Sequence, residues 1–176
     1  HSEIDINTEL DIKAISLKSH KRFTLCSIYI SPSCTLERAQ LENLLQSLPA
    51  PCIIIGDYNA HNTMWNSSKT NNKGKIVEDF ISQNNLSILN DESFTYISPA
   101  TGTMSIIDLA ICHPQLFLDF NFCVNEDLHG SDHFPISLIP VVAHVAENTA
   151  RWKLHQADWT LFEELSNDKL SITNIK

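Results

Sequence analysis

Ile53-Ile54-Ile55-Gly56-Asp57-Tyr58-Asn59-Ala60-His61 is the segment from which the rest of the chain is best read. Three isoleucines after Cys52 predict a short, fully buried strand, which Gly56 ends by letting the backbone turn. Just beyond that end stand a carboxylate, an amide and an imidazole at positions 57, 59 and 61. In an extended segment, residues two apart point to the same side, so all three can face one site. A rigid apolar strand that offers polar side chains at its carboxyl end is a common way to present chemistry to solvent. The ordinary alternative is a capped turn, because Gly, Asp and Asn are turn residues.

Composition narrows the classes. The 176 residues suit one domain with a proper core, and 43% hydrophobic against 19% charged residues marks a globular chain. No apolar run approaches the roughly 20 residues that span a bilayer; Phe134 to Ala146 is broken by Pro135, Pro140 and His144. The five cysteines at 26, 34, 52, 112 and 123 are widely spaced with no C-x-x-C. They fit free thiols in a reducing, intracellular compartment better than disulfides or a zinc site. A net charge of −9 argues against holding nucleic acid through a broad basic surface. It is compatible with an enzyme whose carboxylates hold a cation that meets phosphate.

Working outward from the central strand, residues 1–20 are polar and predict one edge strand. Phe23 to Ile30 alternates cleanly: Phe23, Leu25, Ser27 and Tyr29 share one face, and Thr24, Cys26, Ile28 and Ile30 the other. Leu41, Leu44, Leu45 and Leu48 form the stripe of a helix over 35–48, which leads back into the central strand. Residues 61–74 read as a long loop, with Gly74 opening a helix over 75–84. Strands are expected at Leu86–Leu89, Phe94–Ile97, Met104–Cys112, Phe117–Val124 and Phe134–Ile139, and a helix over Ala157–Leu165. The pattern predicts an α/β sandwich, two sheets face to face with helices outside.

Polar groups then recur at strand ends or inside strands: Asp57/Asn59/His61, Asp108, and Ser131-Asp132-His133, with Tyr29 near another strand end. Each has a structural explanation of its own. Asp108 suits a paired core acid, Ser131-Asp132-His133 a loop, Tyr29 a packed aromatic, and His61 a turn cap. Together they are what phosphodiester hydrolysis needs. Carboxylates bind a hard cation, a carboxylate-oriented His acts as base or phosphate partner, and an Asp–Asn couple holds the attacking water. A Tyr hydroxyl donates to a non-bridging oxygen. A Ser-His-Asp hydrolase competes for the same residues but lacks a G-x-S-x-G elbow, and zinc on His61 and His113 lacks a supporting spacing.

Gly56-Asp57-Tyr58-Asn59-Ala60-His61, Ser105-Ile106-Ile107-Asp108-Leu109 and Ser131-Asp132-His133-Phe134-Pro135-Ile136, in this order, resemble the endonuclease/exonuclease/phosphatase superfamily. Within it the likeness is greatest to the apurinic-like endonuclease domain of non-LTR retrotransposons. The resemblance implies a DNase I-like fold over residues 1–142, with 143–176 a connector toward a reverse transcriptase domain, resembled by Arg151-Trp152 and Ala157-Asp158-Trp159. It implies Asp57 as the acid that activates water, Asn59 as its partner, and Asp108 as the acid paired with His133. His133 then contacts phosphate, Asp132 is associated with the metal, Tyr29 is the active-site tyrosine, and His61 and Ser105 support these groups. It further implies Mg²⁺ (or Mn²⁺), a DNA substrate in the nucleus, and a nick whose 3′-hydroxyl primes reverse transcription.

One departure stands out. The family carries an Asn strand and a metal-ligating Glu strand upstream of the tyrosine, yet only 28 residues precede Tyr29. Glu3, Asp5, Glu9 and Asp11 are in no matching context, so the expectation is an amino-terminally incomplete domain that binds Mg²⁺ poorly and nicks weakly or not at all. A phosphatase or phosphodiesterase of the same fold, and a non-catalytic binding remnant, are the alternatives.

Overall fold

A computed structural model describes residues 1–19, 21–141 and 157–170. The chain divides into two compact units, His1–Ala143 and His144–Lys176. The first is built on a six-stranded sheet of order β1-β2-β3-β4-β8-β5. Its strands are β1 (Ser2–Ile4), β2 (Asp11–Lys18), β3 (Arg22–Tyr29), β4 (Cys52–Asp57), β5 (Ser87–Ile88) and β8 (Asp108–Cys112). The hairpin β6 (Tyr96–Ile97) and β7 (Met104–Ser105) and the ribbon β9 (Phe120–Val124) and β10 (Ile136–Pro140) complete it.

The alternation in β3 sets the layers. Cys26, Ile28 and Ile30 point into a core shared with Ile54, Leu109 and Ile111, sealed by α1 (Arg38–Ser47) and α2 (Asn72–Gln83). Leu41, Leu44 and Leu48 supply α1's stripe, and Val77, Phe80 and Ile81 that of α2. On the other face Phe23, Ile53, Ala110 and Cys112 pack with Phe120 and Phe122 of the ribbon. The expected two-sheet sandwich with outer helices is therefore present, its second layer being two-stranded among the described residues. All five cysteines are free thiols.

Several boundaries move for physical reasons. The amino-terminal region supplies two strands rather than one, since β2 pairs with β3 along its whole length and β1 with β2. Gly56 does not end β4. It lies inside the strand with φ +153°, where an added Cβ would sit 1.9 Å from the Ile28 carbonyl oxygen, so glycine is required by close approach. Helix α2 starts before Gly74 because the Asn71 side chain caps it, accepting from the Gly74 amide at 2.7 Å. Glycine is required at 74 by the His61 carbonyl, 1.9 Å from an added Cβ. The expected strand Met104–Cys112 is broken at Ile106–Ile107, so Asp108 opens β8 instead of interrupting a strand. Part of the predicted Phe117–Val124 strand is a 3₁₀ turn, Pro114–Asp119.

In the second unit α3 runs over Trp159–Leu170, longer than the 157–165 expected. The Asp158 carboxylate accepts from the Leu161 amide at 3.0 Å, and this cap fixes its start. Arg151-Trp152 lies outside the described residues. No helix among the described residues is long and apolar enough to cross a membrane.

Candidate active site

Strand register, not loop folding, gathers three of the predicted residues. Tyr29 pairs with Asp57 across parallel β3 and β4, and Asp57 pairs with Asp108 across antiparallel β4 and β8. Laterally paired residues project to the same face, so Tyr29, Asp57 and Asp108 line one end of the ribbon-covered face. Asp11 of β2 completes the row as the register partner of Tyr29. Tyr29 is 46% exposed, open to a ligand rather than packed in the core.

Two carboxylates set directly opposite each other repel, and the chain compensates each separately. Asp57 is held by Asn59, whose backbone amide donates to Oδ1 at 2.8 Å and whose Nδ2 donates to Oδ2 at 2.7 Å. The same Nδ2 donates to the Ile30 carbonyl at 3.1 Å. Asn59 reaches this geometry only in the left-handed region, φ +47°, which asparagine tolerates better than most residues. The 57–61 segment is thus not extended past Tyr58, which anchors it by being fully buried. Burial pushes the Asp57 carboxyl above the usual carboxylate range, with Asp108 adding to the rise and Asn59 and His133 opposing it.

Asp108 is compensated by His133, whose Nδ1 lies 3.0 Å from Oδ2 and 3.1 Å from Oδ1. A carboxylate acceptor on that side makes Nδ1 the proton-bearing nitrogen and leaves Nε2 as the ring's other polar atom. Asp108 is buried while the His133 side chain is 32% exposed, so the pair runs from core to surface. The ring of Tyr96 rests against His133, centroids 4.9 Å apart, and the two residues form a backbone bridge.

The remaining expectations divide. Asp132 adjoins His133 in sequence; it is exposed, and its carbonyl accepts from the Ile97 amide. His61 is not in the Asp57–Asn59 couple. It lines two cavities, one with Asn59 and Lys73 and one with Ser105, Lys69 and Phe94, the latter of about 760 Å³. Burial and the nearby Lys69 lower the His61 pKa, which keeps the ring neutral at neutral pH. Zinc through His61 and His113 finds no support, because His113 is taken up by Cys52, whose amide donates to its Nδ1 at 3.1 Å.

For the Mg²⁺ that the resemblance implies, the fit is incomplete. No three His, Cys, Asp or Glu side chains gather around one point among the described residues. Asp57 and Asp108 already spend oxygens on Asn59 and His133, so they do not form a ready cage. Two contributors escaped the sequence reading. Asn71, the α2 cap, was recognisable as an Asn three residues ahead of Gly74. Thr95, buried behind the pair, carries no local signal at all.

Residues 23–137 match the model of the endonuclease-reverse transcriptase family. The chain belongs to that family. It is thereby a member of the endonuclease/exonuclease/phosphatase superfamily. Among solved structures it is similar to the endonuclease domain of TRAS1, a telomere-specific non-LTR retrotransposon, at 24% identity and TM-score 0.63. That match covers 73% of this chain and 65% of the TRAS1 domain. An endonuclease/exonuclease/phosphatase family protein from Leptotrichia buccalis superposes at TM-score 0.55 with 17% identity, over 74% of this chain and 54% of its own. Both show the DNase I-like fold, and the chain spans less than two thirds of either. A search of curated proteins finds no match.

Proposed function

We propose that this unit hydrolyses phosphodiester bonds in DNA, as the nicking endonuclease of a non-LTR retrotransposon, and does so slowly. The observation that carries the reading is the meeting of the Asp57–Asn59 couple and the Asp108–His133 pair at one sheet end. Asp57, fixed on both oxygens and with its proton affinity raised, is suited to take a proton from an attacking water. With its Nδ2 turned to Asp57 and Ile30, Asn59 positions that base rather than donating to the water. His133, held through Nδ1–H, donates from Nε2 to a phosphate oxygen or leaving group in its imidazolium form. Tyr29 stands beside Asp57 in register and offers its hydroxyl to a non-bridging oxygen.

A nucleic-acid strand is favoured over a small phosphate ester by the cavity that His61 and Ser105 line. It lies between the 61–69 loop and the β6–β7 hairpin, and its lining holds Lys69 and no carboxylate. In a chain of net charge −9, a tract without carboxylates meets a polyanion with little repulsion. Exposed Phe94 and Met104 on its wall supply apolar surface for bases. The cation of the reaction is proposed as Mg²⁺, with Asp132 as the exposed carboxylate nearest in sequence to His133; that no three such side chains gather among the described residues is why turnover is expected to be slow.

The nuclear setting, the priming role of the 3′-hydroxyl and the 143–176 connector to a reverse transcriptase belong to the same proposal. A substrate panel tests it. Supercoiled plasmid with Mg²⁺ should be converted to nicked circle with polymerase-extendable 3′ ends, while inositol polyphosphate and phospholipid are left intact. Release of phosphate from the latter two without plasmid nicking would replace this reading with the phosphatase one.

A further inference from the structure

We infer that Thr95 is a positioning residue whose side-chain oxygen shapes the backbone at Asp108 and thereby seats the Asp108–His133 pair; this rests on the hydrolytic reading above. Thr95 is fully buried, one residue before β6. Its Oγ1 accepts from the amides of both Ile107 and Asp108, each at 3.1 Å. In an extended strand, consecutive amides point to opposite sides, so two successive amides cannot both reach one atom. The chain must bend at Ile107, and that is where the strand expected over Met104–Cys112 is broken into β7 and β8.

The bend has a chemical result. Without it, pairing would run on from β7 into β8; with it, Asp108 opens β8 opposite Asp57. The same threonine also reaches the histidine's side of the pair. Its carbonyl accepts from the Phe134 amide at 2.9 Å and its own amide donates to the Ser105 carbonyl at 3.0 Å. One buried residue therefore bonds to the segments on both sides of the Asp108–His133 contact, next to Tyr96, whose ring rests on His133. Serine can replace this function because it keeps the oxygen. Valine, nearly the same shape, cannot.

The test uses the full chain with Thr95→Val and Thr95→Ser. In the wild type, amide hydrogen exchange at Ile107 and Asp108 should be as slow as at Leu109 to Ile111; fast exchange there overturns the inference without any variant. Thr95→Val should free both amides and lower kcat for plasmid nicking by about 10- to 100-fold with KM for DNA unchanged. Thr95→Ser should keep both amides protected and stay within about threefold of wild type. Unchanged kcat in a folded Thr95→Val, or a loss in Thr95→Ser as large as in Thr95→Val, overturns it. A wild type with protected amides but no nicking removes the hydrolytic reading and the catalytic half of this inference, leaving the bend itself established.

Discussion

The two faces of the six-stranded sheet are built from the same strands and end in different states. On the helix-covered face, Ile28, Ile30, Ile54, Leu109 and Ile111 are each 2% exposed or less. On the ribbon-covered face, Leu17, Leu25 and Ile55 are only partly buried, and the row ends in Tyr29, Asp57 and Asp108. The closed face has two amphipathic helices to seal it, whereas two strands cover the other among the described residues. The helix-covered core is thus the larger of the two, and charged groups that a core would not tolerate are carried at the end of the other face.

The largest expected effects separate the faces by what is lost. His133→Ala should reduce nicking by about 10²- to 10⁴-fold and lower stability in urea by about 1–3 kcal/mol, the cost of leaving the buried Asp108 carboxylate without its partner. Leu109→Ala should act through stability, destabilising by about 2–5 kcal/mol in urea denaturation because the residue is fully buried under the helices. Leu25→Ala, on the open face, should cost about 1 kcal/mol. Equal costs at 25 and 109 would erase the distinction between the two faces.

A subtler prediction concerns pH. The folded-state pKa of Asp57 is raised, mainly by burial. The folded state therefore holds its proton more tightly than the unfolded state, and the fold loses stability as pH rises through that value. Asp57→Asn should accordingly raise the melting temperature at pH 7, with the gain shrinking toward pH 4, even as activity is lost. A destabilised Asp57→Asn at pH 7 would mean that the bonds from Asn59 outweigh the burial cost. Smallest of all, Lys69→Ala should weaken DNA binding modestly and reduce the slope of log affinity against log salt by about 1.

What could be read in advance follows from which residues carry local signals. The alternation of β3, the stripe of α1 and the isoleucines of β4 are periodic, so the layers and the helix positions were legible. The motifs at 57–61, 105–109 and 131–136 carried the resemblance, and the family match over residues 23–137 bears that resemblance out at the level of the superfamily. The left-handed turn at Asn59 was not visible, because beside Asp57 it is set by the Ile30 carbonyl, distant in sequence. Nor was the break before Asp108, since apolar residues fill 106 and 107 and the cause lies in Thr95. Gly56 was read as a turn because the neighbouring strand that crowds it, at Ile28, is a tertiary fact.

The proposed activity rests most on a shared site: carboxylates from two neighbouring strands and a histidine from the loop before β10 acting on a single phosphodiester. The direct measurement is plasmid nicking with Mg²⁺ at high protein concentration, comparing the wild-type chain with Asp57→Ala and His133→Ala. Slow nicking that disappears in both variants, each still folded by circular dichroism, is the predicted result. Nicking that persists undiminished in either variant would contradict it.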